Sequence, residues 1–148
     1  MAAPALSRKE LLDQLRMEFP EASHAMGDYE IEEIWRGGCR LRQRYDKRAL
    51  RPGGTLSGAT MMALGDFAMY VAVLSAIGWA PLAVTTNLTI NFLLTINFLR
   101  KPPGRDLVAE ARLIKLGKQL AVGEVGIRAD GRDDLVAHII STYSIPPR

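Results

Sequence analysis

The hydrophobic pattern is dominated by one long apolar segment, which runs from Thr55 to Ile77 and predicts a helix that is apolar on all sides. Asp66 is the only charged residue in this segment, and no other Asp, Glu, Lys, Arg or His occurs between Pro52 and Leu99. An ionised carboxylate in apolar surroundings is costly unless it is paired or hydrogen-bonded. Asp66 therefore needs a structural or functional reason.

A membrane span and a buried core helix are the two interpretations of this segment. Asp66 near the centre of a span would cost about 3 kcal/mol on insertion scales, and Gly58 and Gly65 weaken the helix further. The chain that follows is strand-like and offers no second span. We therefore expect a core helix. Because one sheet covers only one side of such a helix, we also expect a partner subunit to cover the other side.

A short cover helix is predicted near the start of the chain. Residues 7–10, Ser-Arg-Lys-Glu, match the capping box, in which the first hydroxyl and the fourth side chain bond to opposite backbone N–H groups. Apolar residues then recur at helical spacing until Pro20: Leu11, Leu12, Leu15 and Phe19. This pattern is typical of an amphipathic helix that lies on the surface of a core.

A hairpin is predicted between Asp28 and Asp46, where the apolar period is two and residues 36–38, Arg-Gly-Gly, supply the loop. A three-residue loop predicts these opposite pairs: Trp35 with Cys39, Tyr29 with Tyr45, Glu32 with Arg42, and Glu30 with Arg44. These charge pairs favour a solvated strand face over a nucleic-acid patch, since no nucleic-acid motif accompanies the arginines.

After the central helix, the sequence predicts four extended segments: Leu82–Leu99, Asp106–Leu116, Gln119–Ala129 and Leu135–Ile145. Turns separate the last three, so we expect those three strands to form an antiparallel meander. Helix, hairpin and meander together indicate an α+β fold, a curved antiparallel sheet wrapped around one long central helix, with an N-terminal cover helix. The length of 148 residues fits one domain. We expect residues 1–27 to form the cover helix and a linker, and residues 28–148 to form the domain.

The first of these segments contains an exact duplication. Residues 88–93 are LTINFL, and residues 94–99 repeat them without change. Because six is an even number, the duplication keeps every side chain on its original face of a strand. A strand through both copies would be far longer than the usual length of about 5 to 6 residues. We therefore expect six residues to be surplus, either projecting past the sheet or forming a bulge or loop.

Composition narrows the class of protein. Hydrophobic residues make up 48% of the chain, which excludes a disordered protein. Cys39 is the only cysteine, so no internal disulfide is possible. The first residues become charged at Arg8 and lack the apolar run of a secretory signal, and these features together predict a cytoplasmic location. The net charge of +3 suits an anionic ligand, nucleic acid or solubility alone.

Asp66 has a catalytic and a structural interpretation. Helical spacing predicts apolar neighbours that disfavour its charged form, which is the usual preparation of a general base: Ala59, Met62, Met69, Tyr70 and Val73. A hydrogen-bonded Asp is also able to act as a nucleophile. The structural interpretation is a buried Asp bonded to a backbone N–H or to a Thr hydroxyl. Spacing alone leaves these alternatives open.

The start of the central helix suggests an oxyanion site. Small residues around Gly58 leave the unpaired N–H groups of the helix start open to a carbonyl oxygen. Gly58 and Asp66 lie about 12 Å apart along one helix at 1.5 Å per residue. Both groups reach one reacting carbonyl only if the helix start comes from another subunit.

The segment RPGGTLSGATMMALGDFAMYVAV resembles the signature of hot-dog-fold acyl-CoA thioesterases of the PaaI-like group. That signature is a GTLHGG-type turn and helix start, with an acidic residue nine positions after the His. The resemblance continues through AVTTNLTINF, AEARLIKLGKQLAVGEV and LVAHIISTYSIP, and covers roughly residues 28 to 146. It implies a hot-dog fold and hydrolysis of an acyl-CoA or aryl-acyl-CoA thioester in a homodimer or a dimer of dimers.

The resemblance also implies roles for matching residues. Asp66 would be the nucleophile or the base for water, the Gly58 amide would polarise the carbonyl from the partner subunit, and Thr85 would lie near the attacking water. Ser57, at the position of the family His, is the fourth predicted catalytic residue. Substrate-binding positions would be Arg51, Ala59, Met62, Arg100, Lys101 and Lys118, the last three near the coenzyme A phosphates. Coenzyme A is part of the substrate, and no cofactor, metal, nucleic acid or membrane partner is implied.

Three departures from the signature motivate a second hypothesis. Ser57 stands in place of the His, Ala59 in place of the second Gly, and Arg51 where many members have an Asn beside the thioester. A non-catalytic protein that binds acyl-CoA or another small ligand would fit these changes. Ser57 would then only cap the helix. The expected acyl lining fits aromatic and aliphatic groups alike: Met61, Met62, Met69 and Tyr70.

Overall fold

The computed structural model describes residues 2–19, 29–45, 50–51, 55–56, 58–93 and 105–147, with only the backbone at residues 50–51 and 55–56. The elements in chain order are α1 Arg8–Glu18, β1 Tyr29–Trp35, β2 Gly38–Gln43, β3 Leu50–Arg51, β4 Thr55–Leu56, α2 Gly58–Ile77, β5 Val84–Phe92, β6 Leu107–Leu116, β7 Leu120–Ala129 and β8 Leu135–Ser144. Six strands form one sheet in the order β1-β2-β6-β7-β8-β5, and β3 pairs with β4. All neighbours are antiparallel, so the predicted α+β architecture is confirmed.

Helix α2 packs against one face of the sheet and contacts all six strands. The close approach of α2 to the sheet depends on glycines in both the helix and the sheet. A Cβ atom at Gly65 of the helix would overlap the side chain of Ile139, and one at Gly123 of β7 would lie 2.6 Å from the sulfur of Met69. Because Gly65 precedes Asp66, this close packing brings the candidate carboxylate next to the sheet.

The central helix begins at Gly58, three residues later than the sequence predicts, because Thr55–Leu56 belong to β4. By length and composition, α2 would be able to cross a membrane. Half of its 20 residues are nevertheless buried, from Met61 to Ser75. It is the core helix of the fold, as predicted.

The cover helix is present, and its capping box is confirmed. The Ser7 hydroxyl accepts from the backbone N–H of Glu10 at 3.1 Å, and the Glu10 side chain accepts from the backbone N–H of Ser7 at 3.4 Å. Leu11 and Leu15 are buried in the core.

The predicted register of the hairpin is wrong. Trp35 pairs with Gly38 rather than with Cys39, because the turn holds two residues, and a bulge between Ile31 and Glu33 shifts the register again. The predicted ion pairs nevertheless form across the strands: Arg42 with Glu32 at 2.9 Å and Arg44 with Glu30 at 3.7 Å. Long side chains reach a diagonal neighbour, so these contacts tolerate the change of register.

Strand β5 begins at Val84 and ends at Phe92, within the first copy of the duplicated LTINFL. The second copy, residues 94–99, lies outside the described residues, so the surplus of six residues stays a prediction. The three later strands have nearly the predicted bounds.

Candidate active site

Asp66 lies in the third turn of α2, half-buried, beside β5 and β8. Thr85 of β5 donates a hydrogen bond from Oγ1 to Asp66 Oδ1 at 2.6 Å, and the hydroxyl of Tyr143 of β8 donates to the same oxygen at 3.0 Å. The Tyr143 hydroxyl also lies 3.1 Å from the main-chain oxygen of Asp66. Within the described ranges, Oδ2 of Asp66 has no hydrogen-bond partner.

A bulge in β5 turns Thr85 toward Asp66. In the regular part of β5, Leu88 and Ile90 pack against the core, so even-numbered residues face inward there. The register shifts between Thr85 and Asn87, and this irregularity changes the alternation. Thr85 therefore faces inward together with Tyr143, its direct partner across the two strands.

Tyr143 is a neutral hydrogen-bond donor. Its side chain is buried, and burial, together with the charge of Asp66, raises the pKa of Tyr143 well above its ordinary value. A phenol in this state keeps its proton beside a carboxylate. Asp66 is thus bonded to a hydroxyl, as the structural interpretation anticipates.

Asp66 also lines a surface cleft of about 540 Å³, which we call the Asp66 cleft; its walls are Tyr29, Ala63, Phe67, Tyr70, Ala83, Val84, Thr85 and Tyr143. Much of the wall is aromatic. The ring of Phe67 stacks on Tyr29 at a centroid distance of 5.4 Å, and Tyr70 lies 6.3 Å from Tyr143. A carboxylate that is anchored through one oxygen and borders an apolar cleft is able to act on a bound ligand.

Of the expected neighbours of Asp66 on its helical face, Tyr70 lines the Asp66 cleft, and Met69 and Val73 are fully buried. Met61, an expected acyl contact, is also buried. The helical step of 100° per residue allows several apolar faces when nearly every position is apolar, so spacing did not decide which face meets the sheet.

Of the predicted site residues, the structure brings Thr85 to Asp66. Gly58 lies eight residues away at the start of α2, where the Phe92 ring is close enough to meet a Cβ atom at 3.0 Å. Ala59 and Met62 are exposed on α2 but do not line the Asp66 cleft. Lys118 is exposed in the turn between β6 and β7.

The remaining predicted positions fall where the structure gives no side chain. Ser57, Arg100 and Lys101 lie outside the described residues, and for Arg51 only the backbone is described. Among the described residues, no three His, Cys, Asp or Glu side chains are grouped in a way that would hold a metal ion. Sequence reasoning missed Tyr143, Tyr29 and Phe67. The alternation of inward and outward residues along β8 places Tyr143 inward, but this alternation does not say which helix residue Tyr143 contacts.

Comparisons with known proteins identify the family of the chain. Residues 53–136 match the family model of the thioesterase superfamily. An inferred esterase of Saccharolobus solfataricus is 30% identical over 142 residues, which are 96% of this chain and 87% of that protein.

Solved structures give the same result. The crystal structure of an inferred thioesterase from Silicibacter sp. TM1040 has a TM-score of 0.81 and 40% identity, and the match covers 97% of this chain and 94% of that one. The Escherichia coli PaaI protein from the phenylacetic acid degradation operon shares the fold, with a TM-score of 0.73, 22% identity, and coverage of 92% and 91%. The chain therefore belongs to the thioesterase superfamily and has the hot-dog fold that PaaI proteins share.

Proposed function

We propose that this protein hydrolyses the thioester bond of an acyl-CoA or aryl-acyl-CoA, with Asp66 as the base for water or as the nucleophile. The observation that carries the proposal is the setting of Asp66. Its Oδ1 is held by two hydroxyl donors, and the residue borders an open cleft with aromatic walls. A purely structural Asp would not need a cleft beside it.

As a base, the Asp66 carboxylate takes a proton from water while the water oxygen bonds to the thioester carbonyl carbon. The tetrahedral intermediate then collapses, the carbon–sulfur bond breaks, and the departing thiolate receives the proton from Asp66. As a nucleophile, the carboxylate itself attacks, the thiolate leaves, and water hydrolyses the resulting anhydride. Both routes yield a carboxylic acid and a free thiol.

The negative charge that develops on the carbonyl oxygen needs a donor, which we assign to the Gly58 amide of a partner subunit. Eight residues at 1.5 Å each separate Gly58 from Asp66 by about 12 Å within one chain. The exposed face of α2 supports a partner there, since Ala59, Met62 and Ala63 lie open on it. The assembly would be a homodimer or a dimer of dimers.

Binding of the coenzyme A moiety is assigned to the predicted basic residues. Leu120 pairs with Ser144, and Ser144 pairs with Val84, which lines the Asp66 cleft. Lys118 therefore lies at the same end of the sheet as the cleft. Arg51, Arg100 and Lys101 complete the proposed phosphate contacts. The proposal includes a cytoplasmic location and no cofactor other than the coenzyme A of the substrate.

The test is a panel of aliphatic and aromatic acyl-CoA thioesters with release of free thiol as the readout. We expect turnover with at least one group of substrates, and loss of that turnover in Asp66→Asn. Asp133→Asn is the matched control, because Asp133 is an exposed acid in the turn before β8. Unchanged turnover in Asp66→Asn would rule out the mechanism.

A single turnover in H₂¹⁸O detects the nucleophilic route when water attacks the Asp66 carbon of the anhydride. If Asp66 is the nucleophile, hydrolysis of the anhydride places ¹⁸O in the side chain of Asp66 when water attacks there, and mass spectrometry of the peptide detects it. If Asp66 is the base, the label appears only in the released acid.

The second candidate is a non-catalytic protein that binds acyl-CoA. The specific observation in its favour is the replacement of the family His by Ser57 and of the Asn by Arg51. Calorimetry with a non-hydrolysable acyl-CoA thioether tests it. Tight binding without turnover of any thioester favours this candidate, and rapid hydrolysis dismisses it.

A further inference from the structure

The hydroxyl of Tyr143 meets Asp66 twice, at the side chain and at the main chain. It lies 3.0 Å from Oδ1 and 3.1 Å from the main-chain oxygen. Tyr143 as a residue is 3% exposed, so solvent offers its hydroxyl little competition. The register with β5 places it beside Thr85, the other donor to Oδ1.

A phenol has one proton, which goes to the better acceptor. The main-chain oxygen of Asp66 already accepts a helical hydrogen bond in the middle of α2, whereas the carboxylate carries a full charge. The proton of Tyr143 therefore points to Oδ1 when Asp66 is ionised. With Thr85 on the same oxygen, both donors anchor Oδ1, and Oδ2 is left for water or a ligand.

No charged group among the described residues competes for this role. Besides Asp66, the titratable side chains that line the Asp66 cleft are three tyrosines: Tyr29 from β1, Tyr70 from α2 and Tyr143 from β8. Burial raises the pKa of Tyr70 as it does that of Tyr143, so both are neutral at physiological pH. The Tyr70 hydroxyl donates to the main-chain oxygen of Pro81 at 3.3 Å and so has another partner.

We propose that Tyr143 is a positioning residue for Asp66: by holding Oδ1 it makes Oδ2 the reacting oxygen. The inference rests on the proposed function for its place in catalysis. Its effect on the carboxylate is measurable without turnover.

The first test is Tyr143→Phe, which keeps the ring and removes only the hydroxyl. A hydrogen bond to a charged group is worth at least about a tenfold change in an equilibrium. We expect kcat to fall at least about tenfold with KM changed less, and the acid limb of the pH–rate profile to differ from that of wild type, because the carboxylate loses a donor.

Ser141→Ala is the matched control. Ser141 lies two residues earlier on β8, is fully buried, and donates to the main-chain oxygen of Asn87 at 3.1 Å without touching Asp66. We expect a similar change in melting temperature for the two variants but no shift of the pH–rate profile in Ser141→Ala. Equal pH profiles for wild type and Tyr143→Phe, or the same shift in Ser141→Ala, would overturn the inference.

The second test does not depend on hydrolysis. In protein labelled with ¹³C-aspartate, the side-chain carboxyl resonance of Asp66 is identified by its loss in Asp66→Asn, and its proton-binding midpoint is then read by NMR. Tyr143→Phe should raise that midpoint, and 3-fluorotyrosine at position 143, a stronger donor, should lower it. Shifts of opposite sign in the two variants support the inference. They do so even if Asp66→Asn keeps full turnover, because unchanged turnover would defeat only the proposed function. An unchanged midpoint in both variants defeats the inference.

Discussion

Asp66 and the acids around Arg42 have different kinds of partner. In what we call the Arg42 cluster, one guanidinium contacts acids from three parts of the sheet: Glu32 at 2.9 Å, Asp106 at 3.2 Å and Asp130 at 3.0 Å. Among the described residues, Asp66 instead contacts only neutral hydroxyls. A guanidinium offsets the charge of a carboxylate, whereas a neutral hydroxyl orients the carboxylate and leaves its net charge in place. The cluster therefore joins strands, and the setting of Asp66 suits proton transfer.

The largest expected effect separates the two regions by activity. Asp66→Asn should lower kcat/KM at least about a hundredfold, the usual scale for loss of a general base. Asp106→Asn, in the Arg42 cluster, should keep kcat/KM within about twofold of wild type, because its partners are Arg42 and the backbone N–H of Tyr45. Steady-state kinetics with the best acyl-CoA substrate measures both. Comparable losses would mean that the proposed distinction is wrong.

Gly65→Ala should affect stability and activity together. The added Cβ atom would overlap the Ile139 side chain, and overpacking of a core typically costs about 1–3 kcal/mol. The strain separates α2 from the sheet next to Asp66, so kcat should also fall. Denaturant unfolding and kinetics on the same samples check this. Ala76→Gly is the control, because Ala76 is half-buried near the end of the same helix, and this variant should leave kcat unchanged. Gly78→Ala would not serve, because Gly78 has a φ of 88°, at which any side chain is strained.

Arg42→Met should affect stability alone. Removal of the guanidinium leaves three acids close together, but the Arg42 side chain is 21% exposed and solvent screens part of the loss. We expect the free energy of unfolding to fall by about 1 kcal/mol while kcat stays within about twofold of wild type. Arg44→Met is the control, since that side chain is 72% exposed and makes a longer ion pair. A large loss of kcat in Arg42→Met would contradict a purely structural role.

The smallest expected effect is the pH dependence of stability in the Arg42 cluster. The hydrogen bond from Arg42 lowers the pKa of Glu32 below its ordinary value of 4.5, and likewise lowers the pKa of Asp130. A carboxylate with a lowered folded-state pKa contributes stability above its unfolded pKa, and this contribution is lost as the pH falls through the folded value. The free energy of unfolding should therefore decrease below about pH 5, and less steeply in Arg42→Met. Denaturant unfolding of wild type and Arg42→Met at several pH values below about 5 tests this expectation. If the free energy of unfolding falls equally steeply with pH in both proteins, the Arg42 cluster is not the cause.

Much of the fold was predictable because local patterns agree with the final contacts. The capping box at Ser7 depends on residues three apart, and the turns between β6, β7 and β8 depend on short polar segments, so both follow from neighbouring positions. The hairpin register was not predictable, because the turn holds two residues rather than three and the bulge after Ile31 adds a residue that leaves no clear mark in the alternation.

The presence of one carboxylate, Asp66, in an apolar core helix follows from the sequence alone, since no other charge is available along that stretch. Membership in the thioesterase superfamily follows from the match of residues 53–136 to its family model. The side of the helix that meets the sheet and the groups that bond to the acid depend on tertiary contacts. A bulge reverses the facing of Thr85, and pairing of distant strands brings in Tyr143 from 77 positions along the chain. Such contacts arise from packing between segments that are remote in sequence, and helical or strand periodicity describes each segment only by itself.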